Sequence, residues 1–130
     1  MFTEKELQEV YAKKPSSYPK LAHALKEIGV TRYDYELTDG KTLFYGKNNH
    51  TLQQDAKYPP IQINNEPSEK YFIHILRMHQ NGQTDFVKFC KDAAESGVAR
   101  WTSNFEEMIV RYYDLKDNLI YEEEIPGLKE

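Results

Sequence analysis

The chain has 130 residues, of which 29% are charged and 13% are aromatic, and its formal net charge is −4. This length suits one domain with one core, and the aromatic content is too high for a disordered segment. The acidic balance supplies no basic surface for nucleic acid phosphates, so we expect no nucleic-acid partner.

The N-terminal sequence MFTEKELQEV is charged from its fourth residue, and the apolar runs elsewhere span only a few residues. A secretory signal needs an apolar segment near the start, and a membrane span needs about 20 apolar residues. Cys90 is the only cysteine, which excludes an internal disulfide and is typical of a reducing compartment. We therefore expect a soluble cytoplasmic protein with no membrane partner, in which Cys90 is a small buried hydrophobic residue.

The first two elements predicted along the chain are helices. Thr3 and Glu6 have the spacing of a capping box, and apolar residues recur behind them at helical intervals. Ser17 can cap a second helix, and Gly29 stands where that helix ends, because glycine adopts the left-handed conformation without strain. The alternation of polar and apolar residues and the turn signal Asp39-Gly40 then predict a hairpin. The predicted strands cover 32–37, 42–45 and, more weakly, 50–56.

The same order of elements returns after a proline-rich linker, residues 57–65, in which residues 61–63 are predicted to form a short strand. Ser68 and Thr84 are predicted to cap the two helices that follow, and Gly97 is predicted to end the second of them. The strands predicted in this part cover 100–105, 108–113 and 119–125, with a turn over 116–118.

The two parts resemble each other at an offset of 68 residues. The identical positions in this alignment include Lys20 and Lys88, Glu27 and Glu95, Gly29 and Gly97, Val30 and Val98, and Arg32 and Arg100, and Tyr45 falls on Tyr113. The sequence thus predicts an α+β fold with an internally duplicated α-α-β-β-(β) unit and an antiparallel sheet packed against helices. The predicted copies are 1–56 and 66–126, joined by the linker 57–65 within one domain, 1–130.

Motifs of known chemistry are missing from the sequence. The four histidines lack the spacing of metal ligands, and there is no phosphate-binding glycine-rich loop, nucleophile elbow or HExxH sequence. We therefore expect no metal, no cofactor and no catalytic residues.

A repeated pair of an arginine and an aromatic residue is the candidate binding motif. Since adjacent strand residues face opposite sides of a sheet, two interpretations stay open. In the first, the aromatic residues fill the core, and the arginines lie on the outer face and pair with Asp34 or a neighbouring strand. In the second, the arginines converge near a pseudo-twofold axis and hold an anion or a partner's carboxylate. The candidate ligand-binding residues are Arg32, Arg100, Tyr45, Tyr113 and Trp101.

Residues 84–126, TDFVKFCKDAAESGVARWTSNFEEMIVRYYDLKDNLIYEEEIP, resemble the signature of the YbcV-like family of small phage-associated domains of unknown function, often labelled phage envelope protein. Residues 18–49 are similar to the first half of that family. The resemblance covers most of the chain and implies kinship, a phage or bacterial origin and no established activity.

These observations favour a soluble, non-enzymatic binding module for a protein partner or a small ligand. The alternative is a small enzyme of unknown reaction, with a cleft between the two repeats. A deep pocket that gathers Arg, Tyr and His side chains would favour the enzyme or a small ligand. A flat aromatic patch would favour a protein partner or a homodimer.

Overall fold

The computed structural model describes residues 1–126. The fold is α+β, as predicted: four helices accompany one antiparallel sheet with the strand order β3-β2-β1-β4-β5-β6. The elements are α1 Glu4–Ala12, α2 Tyr18–Glu27, β1 Arg32–Glu36, β2 Thr42–Tyr45, β3 Thr51–Gln54, α3 Glu69–Gln80, α4 Phe86–Glu95, β4 Arg100–Asn104, β5 Ile109–Tyr113 and β6 Leu119–Glu124.

The predicted helix starts are confirmed at three of four helices. Thr3 and Glu6 form the capping box of α1, and Ser17 and Ser68 accept backbone hydrogen bonds at the starts of α2 and α3. The prediction for Thr84 is wrong, because the carboxylate of Asp85 caps α4 by accepting the N–H of Lys88 at 2.8 Å. A carboxylate at this position also interacts favourably with the positive end of the helix dipole.

The repeated Gly-Val dipeptide ends α2 and α4 in the predicted way. Gly29 and Gly97 have φ angles of +104° and +97°. The N–H of Val30 donates to the carbonyl of Leu25 at 3.0 Å, which is the long hydrogen bond of a Schellman motif. The equivalent bond in α4 runs from Val98 to Ala93, also at 3.0 Å. Each dipeptide therefore stops a helix and turns the chain into a strand.

The linker differs from its prediction, because residues 61–63 form no strand. The segment lies along α4 instead. The backbone N–H of Asn64 donates to the carbonyl of Ala94, and its side-chain amide donates to the carbonyl of Glu95, both at 2.9 Å. Pro67 lies so close to Gly97 that a Cβ built there would be 2.5 Å from the Pro67 Cα. Asn64 thus adds hydrogen bonds at the end of α4, where the Ala94 carbonyl also accepts the N–H of Gly97.

One hydrophobic core joins the helices to one face of the sheet, which we call the inner face. Alternate residues of the central strands lie in it, including Tyr33 and Tyr35 of β1 and Trp101 of β4. Cys90 is also buried there, as the sequence predicts. The opposite surface of the sheet, the outer face, carries the partly exposed residues in between.

The strand register repeats at the offset found in the sequence. Arg32 lies opposite Tyr45 in the β1–β2 pair, and Arg100 lies opposite Tyr113 in the β4–β5 pair. Helices α2 and α4 also begin and end at positions 68 residues apart. The two halves therefore share this strand register and these helix bounds. That they arose by duplication stays a prediction.

Candidate functional site

The predicted arginine and tyrosine residues lie together on the outer face as two stacked pairs. The Arg32 guanidinium carbon is 4.0 Å from the centre of the Tyr45 ring, and that of Arg100 is 4.2 Å from the centre of the Tyr113 ring. Each pair spans two neighbouring strands, so the sheet register fixes the stacking. A guanidinium held flat on an aromatic ring keeps its N–H edge free for an acceptor.

Trp101 lies on the other side of the sheet. Only 5% of it is exposed, and its ring stacks on Tyr35 with the ring centres 4.8 Å apart. Tyr33 is equally buried. The structure therefore places the aromatic residues in the core and the arginines on the outer face, the first of the two interpretations, and Trp101 is separated from the other four candidate residues.

The two arginines share the outer face but do not converge. Arg32 lies opposite Asn104, and Arg100 lies opposite Glu36, at the two ends of the β1–β4 pair. Four residues along a strand correspond to about 13 Å. A single small anion cannot bridge that separation, so each arginine is a separate binding position.

Two of the three arginines on the outer face have well-made carboxylate partners. Arg100 donates two hydrogen bonds to Asp117, at 2.9 and 3.2 Å. Arg111 donates two to Glu107, both at 3.1 Å. These guanidinium groups are largely satisfied within the chain.

Arg32 is held differently. Its guanidinium makes one hydrogen bond with a residue in the described part of the chain, a long one of 3.4 Å to the Asp34 carboxylate. Its Nε atom is buried, and among residues 1–126 it has no hydrogen-bond partner. The Arg32 side chain is nevertheless 42% exposed. Arginine has five N–H donors, so this residue presents unused donors at the surface of the sheet.

Asp34 is the hub of the polar contacts beside Arg32. Its carboxylate accepts a hydrogen bond of 2.9 Å from the Thr102 hydroxyl and one of 3.2 Å from the Tyr45 hydroxyl. The Tyr45 hydroxyl binds Oδ2, the oxygen that Arg32 also contacts, whereas the Thr102 hydroxyl binds Oδ1. Sequence reasoning missed Thr102. The signal that could have found it is its position 68 residues after Asp34, which makes the two residues equivalent in the predicted repeat.

A recess of about 150 Å³ adjoins this group. Its lining includes three carboxylates, those of Asp34, Glu36 and Asp39, together with Lys41. Burial raises the pKa of the Glu36 carboxyl, and the neighbouring Arg100 guanidinium opposes that rise. The recess is smaller than the ~300–1,000 Å³ typical of small-molecule pockets. The outer face is thus a shallow surface around Arg32.

A cluster of hydroxyl groups lies on the inner face, between the two halves. The Tyr18 hydroxyl is hydrogen-bonded to the Tyr33 hydroxyl at 2.7 Å and to the Ser103 hydroxyl. Burial raises the pKa of both tyrosines above the usual range. Protonated hydroxyls of this kind serve as hydrogen-bond donors, whereas a general base needs a pKa near the working pH. The cluster therefore connects α2 to the two central strands.

The positions 68 residues away from the members of the hydroxyl cluster carry a different chemistry. At the offset of 68 residues, Tyr18 corresponds to Phe86, Tyr33 to Trp101 and Ser103 to Tyr35. Phe86, Trp101 and Tyr35 form an aromatic cluster. The ring centres of Phe86 and Tyr35 are 5.5 Å apart. The two halves thus share positions here and differ in polarity.

The fold and the outer face define a small α+β domain with an open sheet surface. The chain belongs to the family described as "Protein of unknown function (DUF1398)", whose model matches residues 8–124. A comparison with curated proteins found no match.

Membrane-spanning helices and metal-ligand clusters are both absent from residues 1–126. No helix in this part of the chain has the length and apolar content needed to cross a membrane. In the same part of the chain, no group of three or more His, Cys, Asp or Glu side chains is arranged to hold a metal ion.

Proposed function

We propose that the protein is a soluble, non-enzymatic binding module of phage or bacterial origin that recognises a protein partner through the outer face. The observation that carries the proposal is the state of Arg32: it is stacked on Tyr45, exposed, and only weakly paired with Asp34. Arginine and tyrosine are, with tryptophan, the residue types enriched among those that dominate protein–protein binding energy.

The partner group that fits Arg32 is a carboxylate on a protein surface. The planar guanidinium can donate two parallel hydrogen bonds to a carboxylate, and its stacking on Tyr45 holds that plane in one orientation. Binding would also give the buried Nε a nearby negative charge. A flat, shallow site of this kind suits a protein surface better than an enclosed small molecule.

The shape of the outer face supports a protein partner in a second way. Six strands at about 4.8 Å spacing give a surface roughly 29 Å wide, which is the scale of one side of a standard protein interface. Arg32 lies on a central strand, where a partner can cover it completely. Central, desolvated positions are where binding energy concentrates.

The first test is a comparison of captured proteins. Wild-type protein and Arg32→Ala are used as baits in host extract, with Arg111→Ala as the matched control on the same face, because the Arg111 guanidinium is already paired with Glu107. A protein retained by the wild type and by Arg111→Ala, and lost with Arg32→Ala, is the candidate partner.

The second test uses that candidate in purified form. We expect its affinity for Arg32→Ala to be at least about tenfold weaker, with Arg32→Lys intermediate, because lysine keeps the charge but not the planar pair of donors. Titration calorimetry measures the three affinities. Tyr71 is an exposed residue of α3. Equal binding by all variants, or a partner that depends on Tyr71 instead of Arg32, would overturn the proposal.

A further inference from the structure

The two edges of the sheet differ in charge. The β6 edge carries three consecutive glutamates, Glu122, Glu123 and Glu124, which is a common protection against pairing with another strand. The β3 edge has the sequence Thr51-Leu52-Gln53-Gln54 and no charged residue. Among residues 1–126, β3 pairs with β2 alone, so its other side is a free edge.

The free edge offers a defined set of backbone groups. The N–H of Gly46 donates to the carbonyl of His50 at 2.7 Å, which starts the β2–β3 ladder. In an antiparallel pair, hydrogen-bonded and non-hydrogen-bonded positions alternate, so Phe44 and Leu52 form the next bonded pair. The N–H and C=O groups of Thr51 and Gln53 therefore point away from β2. Two residues present four hydrogen-bonding groups to a new strand.

We propose that β3 pairs with β3 of a second copy of this chain, antiparallel about a twofold axis. In the register that uses all four groups, Thr51 lies opposite Gln53 of the second copy, and Leu52 lies opposite Leu52 of the second copy. The two six-stranded sheets then form one continuous sheet of twelve strands. The dimer needs no residue of the Arg32 site and leaves the outer face open.

The side chains of β3 suit this pairing. Leu52 is partly buried against the core and lies on the inner face, so two copies of it would complete each other's burial. Thr51 and Gln53 are exposed and uncharged, and they would lie side by side across the new pair. No like charges face each other in this register, whereas pairing through β6 would bring glutamates together.

Solution mass is the first test. Light scattering coupled to gel filtration should give, over a concentration series, a mass approaching twice the 15.3 kDa of one chain. The double variant Thr51→Lys, Gln53→Lys places lysines directly opposite one another and should give the monomer mass. Both positions are exposed, so circular dichroism should show an unchanged fold.

Cross-linking tests the register. In a non-hydrogen-bonded antiparallel pair the two Cα atoms are about 4.5 Å apart, a distance that a disulfide can span. Leu52→Cys should therefore form a covalent dimer under mild oxidation, while Leu119→Cys, exposed on the other edge, should not. A monomer mass at every concentration, or equal cross-linking of the two variants, would overturn the proposal. A dimer unchanged by the lysine pair would overturn it as well.

Discussion

Asp34 and Thr102 lie directly opposite each other in the central strands β1 and β4, and the Thr102 hydroxyl donates a hydrogen bond of 2.9 Å to the Asp34 carboxylate. They are also 68 residues apart. Asp34 in the first half and Thr102 in the second half therefore occupy equivalent positions. The centre of the sheet is thus built from an unlike pair. Two copies of the first half, joined in the same way, would place two aspartates face to face.

This relationship predicts how the separated halves behave. Residues 1–65 alone would expose β1 as an edge and leave its aromatic inner face uncovered, and a chain of this length buries little core. We expect residues 1–65 to be largely unfolded or self-associated, and the addition of residues 66–130 to restore cooperative unfolding, measured by circular dichroism. A stable, monomeric first half would contradict this prediction.

The two helix-ending glycines should differ in their tolerance of alanine. Both have positive φ, so each substitution should lower the free energy of unfolding by about 1 kcal/mol from backbone strain. At Gly29 a Cβ meets no atom within 4 Å, whereas at Gly97 it would lie 2.5 Å from the Pro67 Cα. Gly97→Ala should therefore lose about 1 kcal/mol or more beyond Gly29→Ala. Denaturant unfolding measures both, with Gly82→Ala, which has positive φ and open space, as the control. Equal losses at Gly29 and Gly97 would show that the Pro67 contact does not matter.

The Cys90 thiol should be unreactive in the native protein. Burial raises its pKa to about 12, so the thiolate that reacts with disulfide reagents is scarce at neutral pH. We expect labelling by such a reagent only at the rate at which the protein opens, and rapid labelling after denaturation. Cys90→Ala should cost about 1 kcal/mol or more of stability through lost packing. Fast labelling of folded protein would contradict the burial.

Stability should fall in alkaline solution. The pKa of Cys90 in the folded state lies above the unfolded value of about 8.5, and burial raises the pKa of Tyr112 above its unfolded value of about 10. Below pH of about 8.5 both states keep these protons, so the stabilisation is fully present. As the pH rises further, the unfolded chain releases protons that the folded chain retains, and the free energy of unfolding decreases.

Two variants separate these contributions. Cys90→Ala should reduce the pH dependence from about pH 8.5 upward, and Tyr112→Phe should reduce it from about pH 10 upward. Denaturant unfolding at a series of pH values measures both slopes. An unchanged slope in both variants would assign the alkaline loss to other groups.

The hydroxyl cluster should show coupling between its members. Tyr18→Phe and Ser103→Ala each remove one side of the same hydrogen bond. Each single change should lower the free energy of unfolding by about 1–2 kcal/mol, and the double variant should lose less than the sum, because the second change no longer leaves a buried partner unsatisfied. Additive losses would show that the bond contributes nothing specific to stability.

Local signals in the sequence predicted the elements well. The capping box at Thr3 and the glycine at position 29 act through neighbouring residues, so their outcome depends little on the rest of the fold. The N-cap of α4 is Asp85 and not the predicted Thr84. Both side chains can accept a capping hydrogen bond, and the choice between neighbouring residues depends on how the preceding loop approaches the helix. Residues 61–63 have strand-like alternation, but the final structure gives them α4 instead of a strand as neighbour.

The sequence predicted which arginine and tyrosine residues belong to the candidate site, and it predicted only part of their arrangement. The strand period placed Arg32 and Arg100 on one face, and the offset of 68 residues paired each with its tyrosine. Their separation follows from the antiparallel register of β1 and β4, which no local pattern encodes. No local pattern encodes the difference in hydrogen bonding between the two guanidinium groups either. Arg100 is paired because Asp117 reaches it from a turn that lies 17 residues along the chain.

The path of the linker leaves residues 55–60 accessible to a protease. Residues 55–60 are all exposed and lie outside every helix and strand, whereas Ile63 is buried and Asn64 is hydrogen-bonded to the end of α4. A cut within 55–60 would break the covalent connection between the halves while leaving the β1–β4 pairing and the core contacts intact. The nicked protein would then behave as a two-chain complex, held together by the central strands and the shared core, whose thermal stability depends on protein concentration.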